Sequence, residues 1–205
     1  MQEGERGMRT TDAFKQADSI ANINLPNFLT VVRILLIPVF VVLFSDPTPD
    51  RSLAAAVVFV VAAVTDLLDG YLARRHSQIT RLGRLLDPIA DKLLVLSGLI
   101  LLVQFERVAA IVAILIIARE VAVTGVRAIS AAQGIIIEAE TTGKYKMVVQ
   151  VVAIVFLLLE DRVLPASWHP HEVGTGLLYV ALALALYSGN RYLWSFWNQS
   201  SSKGL

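Results

Sequence analysis

The sequence predicts an all-α, polytopic membrane protein with six transmembrane helices. Hydrophobic residues make up 56% of the 205-residue chain, and the mean hydropathy of +0.64 lies well above that of a globular protein. Several apolar segments reach the roughly 20 residues that a helix needs to cross the hydrocarbon core of a bilayer. They are too long and too continuously apolar for the strands of a membrane barrel.

Turn residues separate the six predicted spans. Pro47 and Pro49 follow the first span, and Pro165 and Pro170 precede the last. The spans cover residues 28–44, 53–73, 85–104, 108–132, 143–159 and 173–193. The chain therefore divides into an N-terminal tail over residues 1–23, a six-helix membrane domain over 24–197, and a C-terminal tail over 198–205.

The N-terminal tail has two interpretations. Phe14, Ala17, Ala21 and Leu25 recur at helical spacing, which is typical of an amphipathic helix lying in the cytoplasmic headgroup layer. A disordered tail fits the same residues equally well. Residues 1–23 contain no apolar core, so a cleavable signal peptide is not predicted.

Basic residues predict the orientation of the spans, because arginine and lysine collect in cytoplasmic loops. One set of connections and tails is rich in them: Arg6, Arg9, Lys15, Arg74, Arg75, Arg81, Arg84, Lys144, Lys146, Arg191 and Lys203. The loops on the other side hold one base each: Arg51, Arg107 and Arg162. Both termini are therefore expected in the cytoplasm.

Composition narrows the possible chemistry. The chain has no cysteine, which excludes disulfides, thiolate catalysis and thiolate metal sites. Its net charge of +1 favours no nucleic-acid partner, and none is predicted.

Four aspartates form the most informative feature, within the segment TDLLDGYLARRHSQITRLGRLLDPIADK. Asp66 and Asp69 are three residues apart and Asp87 and Asp91 four apart, so each pair shares one face of a helix. Crowded carboxylates repel one another unless hard cations bind them through oxygen. A pair of such cations suits phosphoryl transfer, because it can hold the attacking and leaving oxygens. The alternative is ordinary interfacial charges paired with neighbouring arginines.

The same segment resembles the signature of the CDP-alcohol phosphatidyltransferase family, D-x2-D-G-x2-A-R-x8-G-x3-D-x3-D. Its fixed positions are filled by Asp66, Asp69, Gly70, Ala73, Arg74, Gly83, Asp87 and Asp91. The resemblance implies a six-helix enzyme that moves a phosphatidyl group from a CDP-linked lipid to a hydroxyl and releases CMP. It also implies a homodimer in the cell membrane, with the active site facing the cytoplasm.

The resemblance also implies residue roles. Asp66, Asp69, Asp87 and Asp91 would hold two Mg²⁺ or Mn²⁺ ions, with Asp91 also acting as general base. Residues expected at the CDP-lipid are Asn27, Thr30, Gly70, Ala73, Arg74, Thr80 and Gly83. For Asn27, capping of the first helix is an equally simple explanation.

Two further segments, NLPNFLTVVRILLIPVF and DPIADK, resemble the members of the family whose acceptor is sn-glycerol 3-phosphate. The donor would then be CDP-diacylglycerol and the product phosphatidylglycerophosphate, an intermediate of phospholipid biosynthesis. Bases inside or beside the spans are costly in lipid and are predicted to hold the acceptor phosphate. These are Arg33, Arg119, Arg127 and Lys144. Alternatively, Arg119 pairs with Glu120, and Lys144 and Lys146 are topological anchors.

Other interpretations remain open at this level. The same chemistry could use inositol phosphate or phosphatidylglycerol as acceptor, and intramembrane acids also line cation transporters. Tyr192, Trp194 and Trp197 are typical of an interfacial aromatic belt. His169 and His171, which flank Pro170 on the side away from the aspartates, are interpreted as part of a solvated loop.

Overall fold

The structure is a computed structural model that describes residues 25–76, 81–132 and 142–202. Within these ranges it describes every side chain except those of residues 25–27, 67–76, 81–88, 91, 131–132, 142–144, 161–162 and 200–202. The predicted N-terminal interfacial helix lies outside the described residues, apart from Leu25.

Each of the six predicted spans corresponds to a helix. The helices are α1 (Leu25–Phe44), α2 (Pro49–His76), α3 (Arg81–Gln104), α4 (Ala110–Ala132), α5 (Thr142–Val163) and α6 (Pro170–Ser202), with a short 3-10 turn at Ala166–Trp168. In the described part of the chain there is no strand, so the all-α prediction is confirmed. Helices α2 and α6 continue well beyond their apolar segments. The backbone hydrogen bonds that form a helix do not require apolar side chains, so the helix extends into the polar residues.

Consecutive helices run in opposite directions. The connections at residues 45–48, 105–109 and 164–169 lie together at one end of the bundle, which we call the distal end. The motif end lies opposite and contains the last turns of α2 and the first turns of α3. The closest packing joins α1 to α2 and α5 to α6, and α2 also packs on α5, α1 on α3, and α4 on α6.

Aromatic rings fill the core between the first two helices. The rings of Phe40 and Phe59 lie 5.4 Å apart, and Phe44 meets Phe105 edge to face at 5.6 Å. All of these rings except Phe105 are fully buried. The contact between Phe40 and Phe59 fixes how far α1 and α2 are shifted along one another.

Gly174 sets the distance between α5 and α6. A Cβ atom at this position would lie 2.8 Å from Leu157 Cγ and 3.2 Å from the Leu157 backbone nitrogen. The absence of a side chain therefore lets the two helices approach closely. Gly176, by contrast, has nothing within 4 Å of its Cβ position.

At the distal end, Arg107 binds the end of α5. Its Nε lies 3.0 Å from Glu160 Oε1, and its Nη1 donates to the carbonyls of Leu157 at 2.7 Å and Leu158 at 3.0 Å. Glu160 has a non-helical backbone (φ 2°, ψ −139°), so these carbonyls come directly before a break in α5. The guanidinium also lies 5.2 Å from the centre of the Phe44 ring. Arg107 thus joins the connection between α3 and α4 to the end of α5.

The two distal histidines differ. His169 is exposed, as expected of a solvated loop, but His171 lies in the first turn of α6, with Nδ1 3.0 Å from Glu160 Oε2. For His171 the loop assignment is therefore wrong, because the residue is helical, although its side chain is 45% exposed where it contacts Glu160.

Large apolar side chains cover the outside of the bundle. Examples on three helices are Leu35 and Val42 of α1, Val57 of α2, and Ile111 and Val121 of α4, all of them exposed. By length and hydropathy, one helical stretch of the described chain qualifies to cross a membrane, Ala166–Gln199, and Phe28–Phe44 and Lys92–Gln104 are shorter apolar helices.

Candidate active site

The four motif aspartates lie on two neighbouring helices. Asp66 and Asp69 belong to α2, Asp87 and Asp91 belong to α3, and the two helices are in contact. Each pair therefore has the helical backbone that its three- or four-residue spacing predicted. Of the four side chains, the structure describes that of Asp66.

The predicted metal centre is described only through this one aspartate. Among the side chains placed in the structure, no three histidine, aspartate or glutamate residues come together as a metal site. The side chains of Asp69, Asp87 and Asp91 lie outside that set, so the convergence of the four carboxylates stays a prediction.

Asp66 forms an ion pair with Arg33. Arg33 Nη1 lies 2.8 Å from Asp66 Oδ1, with the Arg33 side chain 0% exposed and that of Asp66 19% exposed. The antiparallel packing that joins Phe40 to Phe59 brings these two residues to the same level. A buried arginine is costly without a partner, and this carboxylate supplies one.

The Asp66 carboxylate is suited to a hard cation. Arg33 lies against Oδ1, and the Asp66 side chain is partly exposed, so a ligand can approach it from outside the pair. Magnesium prefers oxygen ligands of this kind, commonly one or two carboxylates together with substrate phosphates. The chemistry of the donor that the structure describes therefore fits a divalent metal.

Thr30 and Arg33 give α1 a polar face inside the bundle. Thr30, one turn before Arg33, is 1% exposed. Residues three apart share one face of a helix, and this face of α1 is buried, with Arg33 directed to Asp66 of α2. Asn27 belongs to α1, but its side chain lies outside the described set.

A second buried cluster, the charged triad, consists of Arg119, Glu120 and Lys146. Arg119 Nη1 lies 2.8 Å from Glu120 Oε1, and Lys146 Nζ contacts the same oxygen. Arg119 also donates from Nε to the Ala185 carbonyl at 2.8 Å and from Nη2 to Ser188 Oγ at 2.6 Å. The triad holds two bases and one acid, so its formal charge is positive.

The alternative pairing of Arg119 with Glu120 is thus observed. Gly189 makes room for it, since a Cβ atom there would lie 3.1 Å from Arg119 Nε. Arg127 lies about two turns after Arg119 on α4. Its guanidinium is 5.7 Å from the centre of the Tyr192 ring. Both arginines therefore contact α6.

Lys146 was missed as a site residue. It was interpreted only as a topological anchor, yet it lies inside the bundle, 7% exposed and paired with Glu120. The signal that identified the other bases, a cation inside an apolar helix, applied to Lys146 as well. The structure does not describe the side chains of Ala73, Arg74 and Lys144 or the surroundings of Gly70 and Gly83, and Thr80 lies outside the described residues.

The chain matches the CDP-alcohol phosphatidyltransferase family over residues 23–187, from α1 into α6. It therefore belongs to this family, and the resemblance carried by the aspartate motif is confirmed. The family consists of membrane-embedded phosphotransferases that are generally dependent on a divalent metal.

Curated relatives share one name, CDP-diacylglycerol--glycerol-3-phosphate 3-phosphatidyltransferase. The relative from Bacillus subtilis (strain 168) is 39% identical over 186 residues, covering 85% of this chain and 95% of that protein. The relative from Escherichia coli (strain K12) is 39% identical over 174 residues, covering 83% and 93%. That from Rickettsia bellii (strain RML369-C) is 37% identical over 169 residues, covering 82% and 93%.

Proposed function

We propose that this protein transfers the phosphatidyl group of CDP-diacylglycerol to sn-glycerol 3-phosphate, giving phosphatidylglycerophosphate and CMP. The observation that carries the proposal is the similarity to relatives whose name states this reaction, which extends over 82–85% of the chain in the three cases given above. The aspartate motif supplies the matching chemistry, because phosphoryl transfer depends on alignment and charge neutralisation.

In the proposed reaction, a hydroxyl oxygen of the acceptor bonds to the lipid-bearing phosphorus of CDP-diacylglycerol. The bond between that phosphorus and the CMP oxygen breaks, and CMP leaves. Asp91 accepts the proton of the attacking hydroxyl. Asp66, Asp69, Asp87 and Asp91 would hold two divalent cations, Mg²⁺ or Mn²⁺, whose positive charge would neutralise the pyrophosphate and the leaving group.

Two groups of residues bind the substrates in this proposal. The CDP-lipid contacts Asn27 and Thr30 of α1 together with motif residues, namely Gly70, Ala73, Arg74, Thr80 and Gly83. Arg119, Arg127 and Lys144 attract the acceptor phosphate. The positive charge of the neighbouring triad supports this, since two of its three charged groups are cations. Arg33 has a different environment, since it is fully buried and paired with Asp66.

The proposed setting is the cell membrane, crossed six times by a domain spanning residues 24–197, with both terminal tails in the cytoplasm. The exposed apolar side chains of α1, α2 and α4 support this, since a soluble protein seldom exposes so many. The motif end then faces the cytoplasm, from which the water-soluble glycerol 3-phosphate can enter the site. We further propose a homodimer.

The orientation can be tested with single cysteines, because the natural chain has none. A cysteine at Ser45, in the connection after α1, should react with an impermeant maleimide added outside intact cells. A cysteine at Ser201 should react only after the cells are opened. The reverse pattern would overturn the proposed orientation.

The reaction itself is tested with purified protein in detergent, CDP-diacylglycerol and Mg²⁺. CMP release should depend on sn-glycerol 3-phosphate and stop when a chelator is added. Inositol phosphate and phosphatidylglycerol are assayed in parallel as acceptors, and faster CMP release with either would reassign the acceptor. No CMP release with any acceptor, combined with cation flux into liposomes, would replace the enzyme proposal by transport.

A further inference from the structure

We propose that Arg33 is a positioning residue for the Asp66 carboxylate and not a ligand of the acceptor phosphate. The proposal rests on the proposed function, in which Asp66 holds a divalent cation. The structure places Arg33 Nη1 2.8 Å from Asp66 Oδ1, and the Arg33 side chain is fully buried. An ion pair at this distance restricts the rotation of the carboxylate that would hold the cation.

Burial argues against the phosphate role. Asp66 is the partly exposed member of the pair and Arg33 is the enclosed one. A substrate phosphate would therefore have to displace the carboxylate before it reached the guanidinium. That exchange would remove a proposed metal ligand from the site in which the metal is needed.

Arg33 differs in this respect from the other predicted phosphate ligands. Arg127 is exposed and lies against the Tyr192 ring. Arg119 belongs to a triad that carries one more cation than acid. Arg33 is held instead by an aspartate of the catalytic motif, which ties α1 to the metal centre.

Two effects of Arg33 on metal binding oppose each other, and their balance makes the proposal testable. Its positive charge repels a nearby cation, so the loss of charge alone would tighten metal binding. Its contact with Asp66 orients a ligand, and partners that orient metal ligands typically contribute about 10- to 100-fold in metal affinity. We expect orientation to dominate, because the guanidinium lies 2.8 Å from the carboxylate oxygen and only 19% of the Asp66 side chain is open to water that could replace it.

The first experiment measures Mn²⁺ binding to the purified protein in detergent, without substrates, by electron paramagnetic resonance. Arg33→Met, which preserves much of the buried volume, should bind Mn²⁺ about 10- to 100-fold more weakly. Arg33→Lys should recover part of the affinity, because an ammonium can still contact one carboxylate oxygen. Equal or tighter Mn²⁺ binding in both variants would overturn the proposal.

The chain offers a matched control in Arg107→Met. Arg107 is also a buried arginine, 5% exposed, and is also paired with an acid, but it lies at the distal end. Its loss should destabilise the fold without changing Mn²⁺ affinity. An equal loss of Mn²⁺ affinity in both methionine variants would show a general folding effect and would refute a specific role of Arg33.

Kinetics separates positioning from phosphate binding. In Arg33→Lys, the Mn²⁺ concentration for half-maximal activity should rise, while the KM for glycerol 3-phosphate at saturating Mn²⁺ stays close to that of the parent. A raised acceptor KM with unchanged Mn²⁺ affinity would assign Arg33 to the phosphate and refute positioning. Because Lys retains a buried cation, this variant decides the question even where the methionine variant does not fold.

If the proposed function were wrong, the experimental result would differ from that expected if only the role of Arg33 were wrong. If the parent protein released no CMP from CDP-diacylglycerol with any acceptor, the reaction would be wrong, whereas the Mn²⁺ comparison would still test the Arg33–Asp66 contact. A double-substitution cycle with Asp66→Asn completes the design. Arg33→Met should cause little further loss of Mn²⁺ affinity in the Asp66→Asn background, and an undiminished effect there would contradict action through Asp66.

Discussion

Arg33 and Arg107 are two buried arginines in different parts of the bundle, and their burial is nearly the same. Each pairs with an acid from a later helix, at 2.8 Å for Asp66 and 3.0 Å for Glu160, and the two acids are similarly exposed, at 19% and 17%. Their surroundings differ. Arg107 also holds two main-chain carbonyls at a break in α5, whereas the partner of Arg33 belongs to the aspartate motif.

This contrast shows that a buried ion pair does not reveal its purpose by burial alone. Replacing such a pair by apolar residues is often neutral for stability, although removing one partner is costly. At the distal end, the pair is explained by the helix end that it completes. Near the motif end, the pair is explained by the carboxylate that it orients. Substitutions at the two ends should therefore affect different measurements.

The largest expected effect concerns Asp91 at the motif end. Asp91→Asn should lower turnover by about 10²- to 10⁴-fold, the usual contribution of a general base, while Mn²⁺ binding is largely retained. Glu160→Gln at the distal end should leave turnover per folded molecule near that of the parent. CMP release by both variants provides the measurement, and a comparable loss in Glu160→Gln would remove the functional distinction between the two ends.

Arg107→Met should produce the largest loss of stability. It leaves Glu160 and two carbonyls without their cation, and breaking a buried pair in this way costs about 3–5 kcal/mol. Denaturant unfolding in detergent, followed by circular dichroism, gives the free energy of unfolding. A loss below about 1 kcal/mol would mean that water replaces Arg107 readily, as at exposed ion pairs.

Gly174→Ala tests whether α5 and α6 must pack closely at Leu157. The carbonyl of Leu157 is one of the two that Arg107 binds. The added methyl group would meet Leu157 at 2.8 Å, and overpacking of this kind costs about 1–3 kcal/mol. Gly176→Ala, two residues along the same helix, meets nothing within 4 Å and should be neutral or slightly stabilising. Equal unfolding free energies for the two variants would contradict the close approach of α5 and α6.

Arg119→Ala gives the smallest expected effect and tests the region between the two ends. Loss of one charged hydrogen-bond donor near the acceptor phosphate should raise the KM for glycerol 3-phosphate about tenfold, equivalent to about 1.4 kcal/mol, with a smaller change in kcat. Arg191→Ala removes an exposed base of α6 that stacks on Tyr187 and serves as the control. An unchanged acceptor KM in Arg119→Ala would exclude Arg119 from the acceptor site.

The six helices were predictable because each apolar segment is about as long as a helix that crosses a bilayer. The helix ends were less so: α2 begins at Pro49 and ends at His76, whereas the apolar pattern covers only residues 53–73. Apolar periodicity ends where polar residues begin, but the backbone hydrogen bonds of a helix continue through them. The motif spacing likewise predicted helical aspartate pairs, which the backbone of α2 and α3 confirms.

The partners of the buried charges could not be predicted in the same way. The partner of Arg33 depends on how α1 and α2 are shifted along one another, which Phe40 and Phe59 set by packing. Arg107 was interpreted as a loop base, because no sequence pattern shows that the α5 backbone breaks at Glu160. Lys146 was interpreted only as a topological anchor, because no sequence pattern shows that it meets Glu120 of α4.

The contact of Arg107 with the end of α5 also has a consequence for biosynthesis. Fifty residues separate Arg107 from the Leu157 carbonyl that it binds. At about 5–20 residues per second, the ribosome needs roughly 3–10 s to supply that partner. In the proposed orientation, we expect the guanidinium to remain in water on the side of the membrane away from the cytoplasm during this interval, with α3 and α4 inserted but not yet joined to α5. A cysteine at position 107 should react with an impermeant maleimide in nascent chains stalled before Leu157 and become protected in full-length protein.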